Sequence, residues 1–74
     1  MTGNELKIIR HANNMSQKRF GDLVDIHRVT ISEWERGIGQ ISAAVEIVAR
    51  IIDTHPEMLP QIERWRGLRQ GTWS

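Results

Sequence analysis

The run from Ser16 to Gly37, SQKRFGDLVDIHRVTISEWERG, places the tightest limits on how this chain can fold. Apolar residues fall at Phe20, Val24, Ile26, Ile31 and Trp34, and the positions between are polar apart from Gly21, Leu23 and Val29. Residues three or four apart share a helix face, so Phe20 and Val24 define one short helix and Ile31 and Trp34 a second. Ile26 falls between them, where it can plug the angle. Helices that cross steeply over so short a turn need a small residue at closest approach, which is the role read for Gly21. The plainer reading, a helix interruption costing about 1 kcal/mol against Ala, fits the surrounding periodicity less well.

The flanking sequence supplies helix boundaries. Thr2-Gly3-Asn4-Glu5 has the spacing of a capping box, so a first helix starts at Gly3. Leu6 and Ile9 are its core residues, with Ile8 pointing elsewhere. Asn14 is suited to a left-handed helix end, and Met15 to the apolar residue that folds back behind it. Ser16 caps the second helix, leaving Gln17, Lys18 and Arg19 in its first turn. The third helix runs from about Arg28 to Arg36 and is ended by Gly37. Ile38 to Ile41 form a loop, and Ser42 caps a fourth helix whose stripe Val45, Val48, Ala49 and Ile52 faces the core. Ile47 and Ile51 make a second apolar stripe, which requires a cover.

That cover is expected from a fifth helix. Asp53-Thr54-His55-Pro56 breaks the pattern, Glu57 to Leu59 form a short turn, and the helix follows from about Pro60 to Gly67. Met58, Ile62 and Trp65 line one side. They either pack on the fourth helix or, as Ile62, Trp65 and Leu68, form a dimer contact, since aromatic residues and Arg concentrate in interfaces. From Gly67 onward the chain reads as a fraying tail in which Trp73 is ordered only by a partner. The expected architecture is all-α, a compact bundle of about five short helices. Residues 1–55 form the principal unit, 56–68 the packing or dimerising helix, and 69–74 the tail.

At 74 residues the chain makes one domain. A chain this short buries only about 60% of its unfolded surface. The absence of cysteine excludes disulfides and thiolate metal sites and suits a reducing cytoplasm. No apolar run reaches the roughly 18 residues of a membrane span, and no secretory signal opens the sequence. Net charge is only +1, but Lys7, Arg10, Lys18, Arg19, Arg28 and Arg36 all precede Gly37.

The sequence resembles the lambda-repressor-like, Cro-type helix-turn-helix family, also called the xenobiotic-response-element type. The resemblance covers roughly Leu6 to Ile52 and is carried by Ser16-Gln17, Gly21, Thr30-Ile31-Ser32 and Trp34-Glu35-Arg36-Gly37. Two positions depart from the family pattern. Asp25 stands where Gly is usual in the turn, a mild change because Asp tolerates a left-handed backbone. His27 stands where Ser or Thr usually opens the second helix of the pair. It is a poorer cap, which leaves it free to face a ligand.

The resemblance implies double-stranded DNA as partner. With Ile31 and Trp34 turned inward, His27, Arg28, Val29, Ser32 and Glu33 remain on the open face, where recognition helices meet base edges. Arg28 can pair bidentately with guanine, Val29 can touch a thymine methyl, and Glu33 can accept from cytosine. Thr30 and Arg36 lie toward the flanks and suit phosphate contact. In the family the residue matching Gln17 contacts the DNA backbone, and Lys18 beside it and the Gln40 to Ala43 amides offer further phosphate sites. The resemblance also implies a structural ion pair between Arg10 and Glu35. Arg10 on a phosphate is the alternative, open if its fork is only partly used.

Other chemistry finds no support. His11, His27 and His55 lack the paired spacing of a zinc helix and read as three solvated histidines. Glu33 and Glu35 lie on different helix faces. Neither a cofactor, a metal nor an enzymatic activity is expected. A small dimeric repressor is the favoured reading, because a monomer with so little excess charge would hold DNA loosely at physiological salt. The competing one is a protein-interaction module, such as a toxin-neutralising antitoxin with secondary DNA binding.

Overall fold

In the computed structural model, which describes residues 1–68, five helices form the bundle: α1 (Gly3–Ala12), α2 (Gln17–Val24), α3 (Arg28–Glu35), α4 (Ala43–Thr54) and α5 (Leu59–Trp65). A single 3-10 turn, Pro56–Met58, joins α4 to α5. The caps explain the boundaries. Thr2 and Glu5 exchange the two bonds of a capping box, Glu5 N–H donating to Thr2 Oγ1 and Thr2 N–H to Glu5 Oε1. Ser16 and Ser42 accept from the third residue of α2 and α4. Four helices then end alike. After α1, Asn14 takes φ 55° and Met15 N–H donates to the Arg10 carbonyl. Asp25 (φ 60°) with Ile26, Gly37 with Ile38, and Gly67 with Leu68 repeat the motif.

The core consists of Leu6, Ile9, Met15, Phe20, Leu23, Ile31, Val45, Ala49, Ile52 and Leu59. Trp34 is half-buried at its edge. Leu23, which the spacing left aside, is as buried as Phe20 because the α2 stripe is wider than a strict i, i+4 pair.

Two glycines set how closely the helices approach. A Cβ on Gly21 would overlap the Ile26 carbonyl oxygen, so the demand for a small residue comes from the turn backbone folding back on α2. A Cβ on Gly3 would overlap the Trp34 carbonyl, seating the start of α1 on the end of α3. An exposed helical Gly→Ala change normally adds about 1 kcal/mol of stability. Gly21→Ala is expected to reverse that sign and cost about 1 to 3 kcal/mol, the range for forced overpacking, as read from chemical unfolding midpoints.

The last helix departs from expectation. It begins at Leu59, with Pro60 inside its first turn, because the 3-10 turn runs directly into it. It does not cover the outer stripe of α4: Ile47 is 59% exposed and Ile51 37%. Two contacts hold α5 to α2 instead. Arg19 clasps the buried Glu63 carboxylate through Nε (2.7 Å) and Nη2 (2.8 Å), and Arg66 Nε donates to the Leu23 carbonyl at 3.1 Å. Ile62 and Leu68 lean on the chain's own core while Trp65 faces outward, 67% exposed. Gly67 and Leu68 thus close α5 and do not begin a tail. The rest of that expected tail, with Trp73, lies outside the described residues.

Candidate nucleic-acid interface

α2 and α3 are held at their angle by Ile26 in the turn and by Ile31, fully buried on the inner face of α3. With that face committed, the N-terminal end of α3 projects: His27, Arg28 and Val29 are exposed, and Thr30, Ser32 and Glu33 are half-buried beside them. Val29, 53% exposed, is an apolar side chain among polar ones. Arg28 makes no hydrogen bond or ion pair among the described residues.

His27 is less free than the sequence implies. Its Nδ1 accepts from the Val29 N–H at 3.1 Å, so the imidazole caps α3 much as a serine would. One ring nitrogen is consumed, and Nε2 alone remains for an outside partner.

The basic residues ahead of Gly37 divide into bound and free. Arg10, 8% exposed, uses its whole fork. Nε and Nη2 each lie 2.8 Å from a Glu35 carboxylate oxygen, and Nη1 donates to the Met15 carbonyl at 2.9 Å. Nη2 also lies 3.4 Å from His11 Nε2, so all three nitrogens of a buried guanidinium are engaged within the fold, which weighs against the alternative use of Arg10 on a phosphate. Arg19 is spent on Glu63. Lys18 meets Asp22 at 2.9 Å, but both are exposed, and such a pair adds about 0.2 to 1 kcal/mol at most. A phosphate can displace it. Among the described residues Lys7, Arg28 and Arg36 are exposed and form no ion pair within 4 Å.

Gln17 stands at the start of α2, half-buried, and its Nε2 donates to Glu35 Oε1 at 3.2 Å. One carboxylate therefore ties α1, α2 and α3 together and fixes the Gln17 amide, leaving its second N–H for an anion. Arg36 follows Glu35 directly, so Gln17 and Arg36 flank the same end of α3. Gln40, exposed, borders the hollow beside Trp34 and Gly39. The Ser42 cap satisfies the Val45 N–H of α4.

The electrostatics of Glu35 carry a pH consequence. Burial pushes its carboxyl up, but bonds from Arg10 and Gln17 and the charges of Arg10 and Lys7 outweigh burial and hold it below the ordinary carboxylate range. A depressed carboxylate contributes stability that is whole above its unfolded value, about 4.3, and is lost as pH falls through the folded one. The melting temperature is accordingly expected to fall on acidification below about pH 5, and Glu35→Gln to flatten that slope.

Sequence reasoning did not find the Arg19–Glu63 clasp or the Gly3 contact. The first joins residues 44 apart and the second two backbones, and neither leaves a periodic trace. Among the described residues no cluster of His, Cys, Asp or Glu is arranged to hold a metal, and no helix is long and apolar enough to cross a membrane.

Comparison with curated proteins and with solved structures gave no match. A family model described as helix-turn-helix matches residues 6–59, from the first core residue of α1 to the first residue of α5. With that match over most of its length, and with the turn, the crossing helices and the projecting α3 in place, the chain belongs to the lambda-repressor/Cro-like helix-turn-helix family.

Proposed function

We propose that the protein is a sequence-specific transcription regulator, a small homodimeric repressor of the cytoplasm that lays α3 in the major groove. The observation that carries this reading is the division of α3: Ile31 is fully buried beneath it, while the Val29 side chain projects and the Arg28 side chain has no partner among the described residues. A guanidinium and a branched apolar group side by side suit a guanine edge next to a thymine methyl. His27 through Nε2, Ser32 and Glu33 complete the base-facing set. Gln17, Lys18, Thr30, Arg36 and Gln40 serve the phosphates, and their contribution is independent of sequence. The test is a gel-shift titration on DNA from upstream of the protein's own gene, repeated across salt concentrations. Site-specific retention that weakens steeply with salt supports the reading. No retention even at low salt, beside tight capture of a neighbouring gene's product, supports a protein-interaction module instead.

A further inference from the structure

The outer face of α4 is an apolar feature that the fold of the described residues leaves unclaimed. Ile47 and Ile51 stand one turn apart and exposed, with Ala43 before them and Thr54 after, lining an open groove. Along one flank of that stripe run Glu46 and Arg50, paired at 3.2 Å. Arg50 also reaches toward Glu5 of α1 at 3.7 Å, which puts Ile8, one turn beyond Glu5 and 59% exposed, beside the same flank.

The order of these residues is self-complementary. If a second α4 is laid antiparallel across the first, with the two-fold level with Ala49, Ile47 falls beside Ile51 of the other copy. In the same register Ala43 falls within one residue of Thr54. A two-fold of this kind brings like flanks together, so Glu46 of each copy lies two residues, about 3 Å of helix rise, from Arg50 of the other, within reach of the two long side chains. Apolar, small and charged positions agree on one register to within about two residues. A two-fold interface requires such a surface, one that fits a copy of itself.

We infer that the outer face of α4 is a homodimer contact, its occupant a second copy of this chain packed antiparallel helix to helix. This rests on the dimeric reading proposed above and names its surface. α5 is the weaker candidate, since Ile62 and Leu68 turn into their own core and only Trp65 remains outside. One helix face is small against the roughly 1,600 Å² of a standard interface, so the dimer is weak in free solution.

The test is made without DNA, which separates its failure from failure of the DNA-binding proposal. Glu46→Arg and Arg50→Glu each place like charges along the flank and are expected to weaken self-association, measured by sedimentation, by about tenfold or more. Mixed together, the two variants should associate with each other, because their flanks are then of opposite sign. The chain has no cysteine, so disulfide capture is unconfounded. Ile47→Cys mixed with Ile51→Cys should cross-link readily, and Trp65→Cys should not. Circular dichroism and melting confirm that each variant is folded. Three outcomes overturn the inference: mixed charge variants that associate no better than either alone, cross-linking through Trp65→Cys instead, or no capture at Ile47 and Ile51 at any protein concentration.

Discussion

Arg10→Ala is expected to lower the unfolding free energy by about 3 to 5 kcal/mol. The cost comes from what is left behind. Glu35 has 4% of its side chain exposed, and without the guanidinium it is a buried carboxylate with only Gln17 to bond it. The Met15 carbonyl loses its donor as well. Against a total stability of about 5 to 15 kcal/mol, that loss leaves α1, α2 and α3 barely held. Removing both charges should behave differently. Arg10→Met with Glu35→Leu strands no charge, and apolar groups of similar volume commonly match a buried pair. The double variant should recover most of the loss, short by the unmet Met15 and Gln17 groups. Urea midpoints of the two variants against the parent decide it. A single variant as stable as the parent would show that the pair is not the tie described.

Arg28→Ala is expected to weaken binding to the preferred site by about 1 to 3 kcal/mol and to relax preference at one base pair, leaving other positions unchanged. No described residue bonds the Arg28 side chain, so its removal should not disturb stability. Gln17→Ala should weaken all sequences alike, because a phosphate contact carries no base information. The contrast is the informative result: one variant alters the shape of a selected binding-site profile, the other only its depth. A profile unchanged by Arg28→Ala would remove that residue from base readout.

How far the sequence reveals the structure depends on the range of the interaction. Caps and helix ends are local, and Thr2 with Glu5, Ser16 and Asn14 could be placed from a few neighbouring residues, while Asp25 was placed in its turn by the family resemblance. Gly21 was legible as a close approach, though not as one against the Ile26 carbonyl. The α4 pattern showed that Ile47 and Ile51 form an apolar face; periodicity marks a face but not its partner, and α5 went to α2. What took it there, Arg19 on Glu63 and Arg66 on the Leu23 carbonyl, joins residues more than 40 apart. At the candidate interface, exposure of Arg28 and Val29 followed from burying Ile31. The capping bond of His27 did not, because propensity ranks histidine low as a cap and says nothing of one ring nitrogen in reach of an amide.

The most direct test of the central claim, that the projecting face of α3 meets DNA, is an amide NMR titration of the labelled protein with the tightest duplex selected from a random pool. The largest shifts are expected from residue 27 through residue 33, with smaller ones at Gln17, Lys18, Arg36 and Gln40. Silence across 27–33, with the changes gathered on α4 or α5, or a selection that enriches no duplex, would contradict it.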